Sequence, residues 1–355
     1  MEKFEIKNFR IKKFFMEHDY EPESYLDAVN FFNGYYGLLP KASFVIQAPI
    51  NDEVVDVLVD ESYPFSAFIP EVWNMLTISQ RMTAINMVKN YFVNRDQLNQ
   101  SKKLRLSFIS AYQDNTGASA YIATYDSHRM LYVNDKYLFL NTESSLELLA
   151  NLFHELTHVS QRDKQERIVK QNITDAQTFS KLVIDSYSTL KILRNVLNEW
   201  QINNVIKVNK TVRGNLTDED INTLLEMSKP NNQETSYLIQ LLYASLPYEA
   251  GAENRASKLY SQVVKDFKDR YGYKARYYRE EYYMQYARFL EHKYGYKLSK
   301  DDILNFGKVN ALISNFDTLG EGLKVLAELY RNKQLTYTVN EKDYKSAVEE
   351  TFKLH

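Results

Sequence analysis

His154-Glu155-Leu156-Thr157-His158 is a HExxH string. On an α-helix, positions i and i+4 lie on one face, one turn apart, so both imidazoles reach a single metal ion. Glu155 sits beside them at the edge of the same site. Two histidines at this spacing with an intervening glutamate is the arrangement of zinc hydrolases, in which the histidines hold the metal and the glutamate serves as base. The competing reading is a chance string on a surface helix whose histidines face water. With only 6 histidines in 355 residues, chance is the weaker explanation.

This chemistry requires a helix, and the surrounding residues supply one. Ser144 followed by Glu147 reads as a capping box. Leu146, Leu149, Leu152 or Phe153, and Leu156 then recur at helical spacing. No Pro or Gly interrupts from Ser144 to Lys164, and charged residues crowd the far end from Arg162 to Arg167. Both histidines therefore fall inside a helix that is apolar on its other sides, which limits water access to a metal site.

A catalytic zinc site needs three protein ligands and an open position. The chain has no cysteine, so the third ligand is a histidine or a carboxylate. His18, His128, His292 and His355 have no matching partner, and His292 reads as a solvated helix position. The best candidate stretch is Tyr243 to Ala256. Pro247 suits the first position of a helix. Glu249 then lies in the first turn, with Glu253 one turn on along the same face. The small residues Ala250, Gly251, Ala252 and Ala256 permit close helix packing. This spacing suggests Glu249 as ligand and Glu253 as acceptor for the second nitrogen of a liganding histidine. Glu253 as the ligand instead, or an ordinary exposed glutamate pair, are the alternatives.

HELTHVSQ resembles the active-site helix of gluzincin metallopeptidases, especially the compact forms of bacterial, phage and mobile-element proteins. In those, a later helix carries a Y-x-x-x-P-x-E-x-x-A pattern, which Tyr243, Pro247, Glu249 and Ala252 fit. The resemblance covers mainly residues 104–161 and 236–260. It implies a zinc peptidase-like fold with a sheet edge bordering the cleft, Glu249 as the glutamate ligand, and Glu253 in the place of the acidic residue beyond it. Two departures stand out. The interval from His158 to Glu249 is long for the compact forms and implies a helical insertion. Position 253 is Glu where Asp or Asn is more usual. The absence of a downstream HxxGxxH argues against a metzincin.

The expected function is a zinc-dependent metallopeptidase. His154, His158 and Glu249 would hold Zn²⁺. Glu155 would act as general base on the water in the open position. Tyr243 or Tyr248 would donate to the oxyanion, or else serve only in packing. Two other classes stay in view: a non-catalytic structural or binding protein on a peptidase-like fold, such as a virion or mobile-element component, and a host-modifying effector protease with one target. The intact Glu155 speaks against the first, since a structural metal has no use for a base there.

The elements that must position these residues read as an α+β, zincin-like fold. A mixed α/β N-terminal lobe leads to the HExxH helix, which lies at the join to a mostly helical C-terminal lobe. Three segments follow: 1–100, an α/β region of unclear role; 101–167, the core sheet and active-site helix; and 168–355, the helical lobe with the third ligand. Residues 1–20 read as a strand or arm and Glu21–Tyr36 as a helix. Strands over 41–60 turn at Asn51-Asp52, and one helix spans about 71–94 with Trp73, Leu76, Ile85, Val88 and Phe92 inward. Further strands cover Leu104–Ile109, Ala118–Tyr125 and Met130–Leu140, with a turn at Asp114–Gly117 and Asn134-Asp135 as a possible turn. An edge strand among them, with Met130–Val133 and Ala118–Tyr125 as candidates, could take up an extended peptide, or pair in the ordinary way. Helices follow at Asp175–Trp200, from Thr217, Glu234–Ser245, Asp301–Phe306, Thr318–Arg331 and Glu341–Leu354, with a short strand at Leu335–Val339. RYGYK at 270–274 and KYGYK at 293–297 read as helix ends with glycine stops rather than a repeat.

Composition narrows the partners. Hydrophobic residues make up 44% and charged residues 25%, with a net charge of −2, a globular profile with no electrostatic case for nucleic acid or an anionic membrane. The start of the chain lacks a signal-peptide apolar core, and no run reaches transmembrane length. The expected partner is a peptide or protein substrate, and the expected location is the cytoplasm.

Overall fold

The computed structural model describes residues 9–17, 20–22, 28, 43–98, 102–109, 119–139, 144–170, 216–275, 281–303, 309, 312–313 and 319–336. Asp114–Gly117, Asp175–Trp200, Glu341–Leu354 and most of Glu21–Tyr36 lie outside them. The fold is α+β. The chain forms two units, Met1–Asp163 with Lys258–Arg279, and Lys164–Ser257 with Glu280–His355.

In the first unit, helix α1 (Phe9–Glu17) replaces the strand or arm expected there. Phe14 and Phe15 are buried while Lys12, Lys13, Met16 and Glu17 face solvent, a helical division that the alternating basic and aromatic residues concealed. Strands β1 (Phe44–Ile50) and β2 (Glu53–Val59) form an antiparallel hairpin, in register from Phe44↔Val59 to Ile50↔Glu53. Asn51 and Asp52 make the turn with φ of 51° and 67°, the left-handed pair that a two-residue hairpin loop requires. Alternation buries Ala48, Ile50, Val57 and Val59 on one face.

The helix expected over 71–94 is two helices. After a 3-10 turn at Pro64–Phe68 come α2 (Pro70–Met75) and α3 (Ile78–Arg95). The break has a local cause. Thr77 Oγ1 accepts from Gln80 N, and the Gln80 side chain accepts from Thr77 N, a capping box that starts a new helix within a continuous apolar pattern. The inward set survives the break: Trp73, Leu76, Ile85, Val88 and Phe92 are all buried.

Strands β3 (Lys103–Ile109), β4 (Ala120–Thr124) and β5 (His128–Asn134) make a sheet in the order β3-β5-β4. β5 is parallel to β3 and antiparallel to β4. Two expectations change here. The Met130–Leu140 stretch breaks at the possible turn, Asn134-Asp135, where Asn134 Oδ1 accepts from Lys136 N at 3.0 Å, and the short helix α4 (Lys136–Phe139) follows in place of more strand. Met130–Val133 is no edge, because β5 is hydrogen-bonded on both sides. The strand within Ala118–Tyr125, β4, is at an edge of this sheet. Leu104, Leu106, Phe108, Ala120, Ile122, Leu131 and Val133 alternate onto its apolar face and are buried.

The second unit is helical. It contains α6 (Asp218–Met227), α7 (Gln233–Ala244), the first part of α8 (Pro247–Tyr271), α9 (Tyr282–Tyr294) and α10 (Leu319–Asn332). α7 packs along α9, and α6 along α10, around Leu224, Leu238, Leu241, Tyr283, Leu290 and Leu326. Both YGY sequences stop helices. α8 and α9 end at Tyr271 and Tyr294, and Gly272 and Gly295 follow with φ of 69° and 76°, the left-handed cap that glycine adopts without strain. Of the strand expected at Leu335–Val339, the described part has no ladder of its own. The adjacent Gln334 makes one parallel bridge to Lys297. Among the described residues no helix is long and apolar enough to cross a membrane.

The last part of α8 belongs to the first unit. There Tyr63 Oη donates to Asp266 at 3.2 Å, and the Arg270 guanidinium lies over the Tyr63 ring at 4.1 Å. Asn51 Nδ2 donates to the Gly272 carbonyl at 2.7 Å, so the hairpin turn is tied to the chain just past the helix end.

Candidate metal centre

Helix α5 (Ser144–Lys170) carries the HExxH string. It begins at Ser144, and the carboxylate of Glu147, read as half of a capping box, accepts from Tyr137 Oη at 3.2 Å. Leu146, Leu149, Leu152 and Leu156 are fully buried. Phe153, next to the first histidine, sits edge-on to Phe65 at 5.4 Å and tilted against Phe92 at 5.6 Å. Such aromatic contacts add to the gain from burying the rings.

Polar bonds pin the helix along its length. Ser145 Oγ donates to the Phe68 carbonyl at 2.9 Å. Asn151 Nδ2 donates to Ser119 Oγ, Ser160 Oγ to Asp96, and Arg162 to Thr124 Oγ1. Asp163 pairs with the buried Arg129 of β5. Sheet, 3-10 turn and the end of α3 therefore all hold α5. This fixes the rotation of the helix, and with it the direction of both histidines.

From Leu148 to Gln161 every residue is buried except Glu155, which is partly exposed. His154 and His158 are each 5% exposed. Their Nε2 atoms lie 3.0 Å apart, with the rings 89° to one another. His158 Nδ1 lies 2.9 Å from Gln161 Oε1.

Glu249 comes from α8. Pro247 begins that helix, and Ala250 N donates to the Leu246 carbonyl at 2.8 Å to close the first turn. Tyr248 through Glu253 are all buried, so the two glutamates are not an exposed pair. Glu249 is 7% and Glu253 1% exposed. Tyr243 Oη donates to Glu249 Oε1 at 2.7 Å.

His154, His158 and Glu249 form a buried group whose candidate ligand atoms all lie within 4.8 Å of one another, and such a group can hold a metal ion. It is the only group of this kind among the described residues. The donor set fits zinc. Two ring nitrogens on one tetrahedral zinc ion lie about 3.3 Å apart, a few tenths of an ångström from the 3.0 Å seen here.

Of the sequence-derived residues, His154, His158 and Glu249 come together. Glu155 is placed beside them on α5 and keeps contact with solvent. Tyr243 is at the site, but its proton is engaged by the Glu249 carboxylate. Tyr248 is buried at 3%, among the core side chains. His292 is exposed on α9, as read. Gln161 closes the HELTHVSQ string, but the sequence reading gave it no role. Its signal was the i+3 spacing from His158, which puts both side chains on one helix face. Comparison with protein-family models, with curated proteins and with solved structures finds no match for this chain.

Proposed function

We propose that the protein is a zinc-dependent metallopeptidase of gluzincin type on a zincin-like core. The observation that carries the reading is the convergence of His154, His158 and Glu249 in a buried group beside the partly exposed Glu155. His154 and His158 Nε2 and a Glu249 oxygen would hold the ion. Zinc, when bound, supplies a Lewis acid that makes water acidic and offsets oxyanion charge.

The chain's own residues do the rest. Glu155, the one residue from Leu148 to Gln161 partly exposed to solvent, takes a proton from the attacking water. A carbon–oxygen bond forms at the scissile carbonyl. As the carbon–nitrogen bond breaks, Glu155 returns the proton to the leaving amine. Tyr243 steadies the Glu249 carboxylate through its hydroxyl rather than meeting the substrate oxygen. The apolar packing of α5 excludes water from the metal's other sides, which strengthens the electrostatics of the site. A purely structural metal would not need a carboxylate kept in contact with solvent on an otherwise buried stretch.

The test is elemental analysis and peptide hydrolysis on the full chain. One zinc per chain is expected, lost in His154→Ala and Glu249→Ala and retained in Glu155→Gln. Hydrolysis of an unstructured peptide pool should fall about 10²–10⁴-fold in Glu155→Gln. Wild-type protein that takes up no zinc after reloading would overturn the reading. Zinc without turnover of any peptide or protein would turn it into a structural metal site.

A further inference from the structure

His158 has a tether on its own helix. Gln161 Oε1 lies 2.9 Å from His158 Nδ1, and Gln161 is 0% exposed. A carbonyl oxygen only accepts, so this contact puts the ring proton on Nδ1 and leaves the lone pair on Nε2. Nε2 is the atom that faces His154 Nε2. The second ring nitrogen of a metal-liganding histidine is usually held by a carboxylate, a backbone carbonyl or water. Here a side-chain amide occupies that place, with no added charge. Glutamine loses rotamer freedom on burial and is mostly found at surfaces, so a fully buried one aimed at this nitrogen is a specific feature.

We propose that Gln161 is a positioning residue of the metal centre. It fixes the tautomer and ring angle of His158 so that Nε2 is ready to bind the ion. This rests on the reading that His154, His158 and Glu249 hold a metal. The competing role for Gln161 is to fill space in the core, and a methionine of similar length would fill it equally well.

The experiment uses full-length wild type, Gln161→Met, Gln161→Glu and His158→Ala. Zinc affinity is measured by competition with a chromophoric chelator, and the visible spectrum is recorded with Co²⁺ in place of zinc. Gln161→Met should bind zinc about 10–100-fold more weakly and shift the cobalt bands. Gln161→Glu, which restores an acceptor at the same reach, should bind at wild-type strength or better. If circular dichroism shows that Gln161→Met does not fold, Gln161→Asn carries the test, since its amide stops one methylene short and should weaken binding likewise. Wild-type affinity and an unchanged cobalt spectrum in Gln161→Met, with metal lost in His158→Ala, would overturn the role of Gln161 and leave the metal centre standing. A wild type that binds neither ion would overturn the metal reading, and the role of Gln161 with it.

Discussion

Helix α5 carries two buried polar groups little more than a turn apart, and they are balanced in different ways. Asp163 meets Arg129, so that group brings its own cation, and both side chains are almost wholly buried. His154 and His158, with Glu249, bring two ring nitrogens and a carboxylate oxygen to one place. An ion pair of the first kind is complete when the chain has folded. A group of the second kind offers nitrogen and oxygen atoms that could hold a metal ion. Lys89 on α3 shows a third case, a buried cation with no hydrogen-bond partner among the described residues. Burial, aided by the nearby charge of Lys103, pushes its ammonium down to about 8.

Three measurements sharpen this contrast. The largest effect is expected at Asp163. Asp163→Ala takes the carboxylate from a fully buried guanidinium and should cost about 3–5 kcal/mol of stability, read by denaturant unfolding. Zinc content should stay at wild type. Loss of metal along with stability would mean that the two groups are one network.

Lys89→Met comes next. The unfolded chain binds this proton with the ordinary lysine value of 10.5, and the folded state binds it less tightly. Between about pH 8 and 10.5 the unfolded state therefore holds more protons, and stability rises with pH across that window. Below it both states are charged and the penalty is full, while above it both are neutral and the penalty is gone. Lys89→Met should stabilise the protein by up to about 3 kcal/mol at pH 7. The gap to wild type should close as the pH approaches 10.5. A pH-independent gap would mean that packing, not charge, is responsible.

The smallest effect is expected at Tyr243. Tyr243→Phe removes the hydrogen bond to Glu249 and should weaken zinc binding about tenfold, or about 1.4 kcal/mol. Unchanged affinity with a fall in turnover would return Tyr243 to the role of oxyanion donor.

Much of this was legible in the residues because it depends on neighbours in the chain. The i,i+4 histidines, the Asn51-Asp52 turn, the Pro247 helix start and the glycine stops at Gly272 and Gly295 follow from spacing and backbone preference within one or two turns. The misreadings have equally local causes. The break at Thr77 was hidden because apolar spacing ran straight through a capping box. β5 ends at Asn134, where a turn was one reading, but the helix that follows at Lys136–Phe139 was hidden because four residues are too few to show a helical period. The helix α1 was hidden by an alternation that also suits a strand.

By itself, the sequence determined that two histidines and a glutamate share a helix face, and that Glu249 opens a second helix, because helical geometry converts spacing into direction. Only the tertiary structure decided that Glu249 joins those histidines across a long stretch of chain, and that Tyr243 is spent on Glu249. It also decided that β5 is central while β4 is an edge, and that the end of α8 returns to the first unit. Those outcomes depend on which surfaces bury one another, and no short-range pattern carries that information.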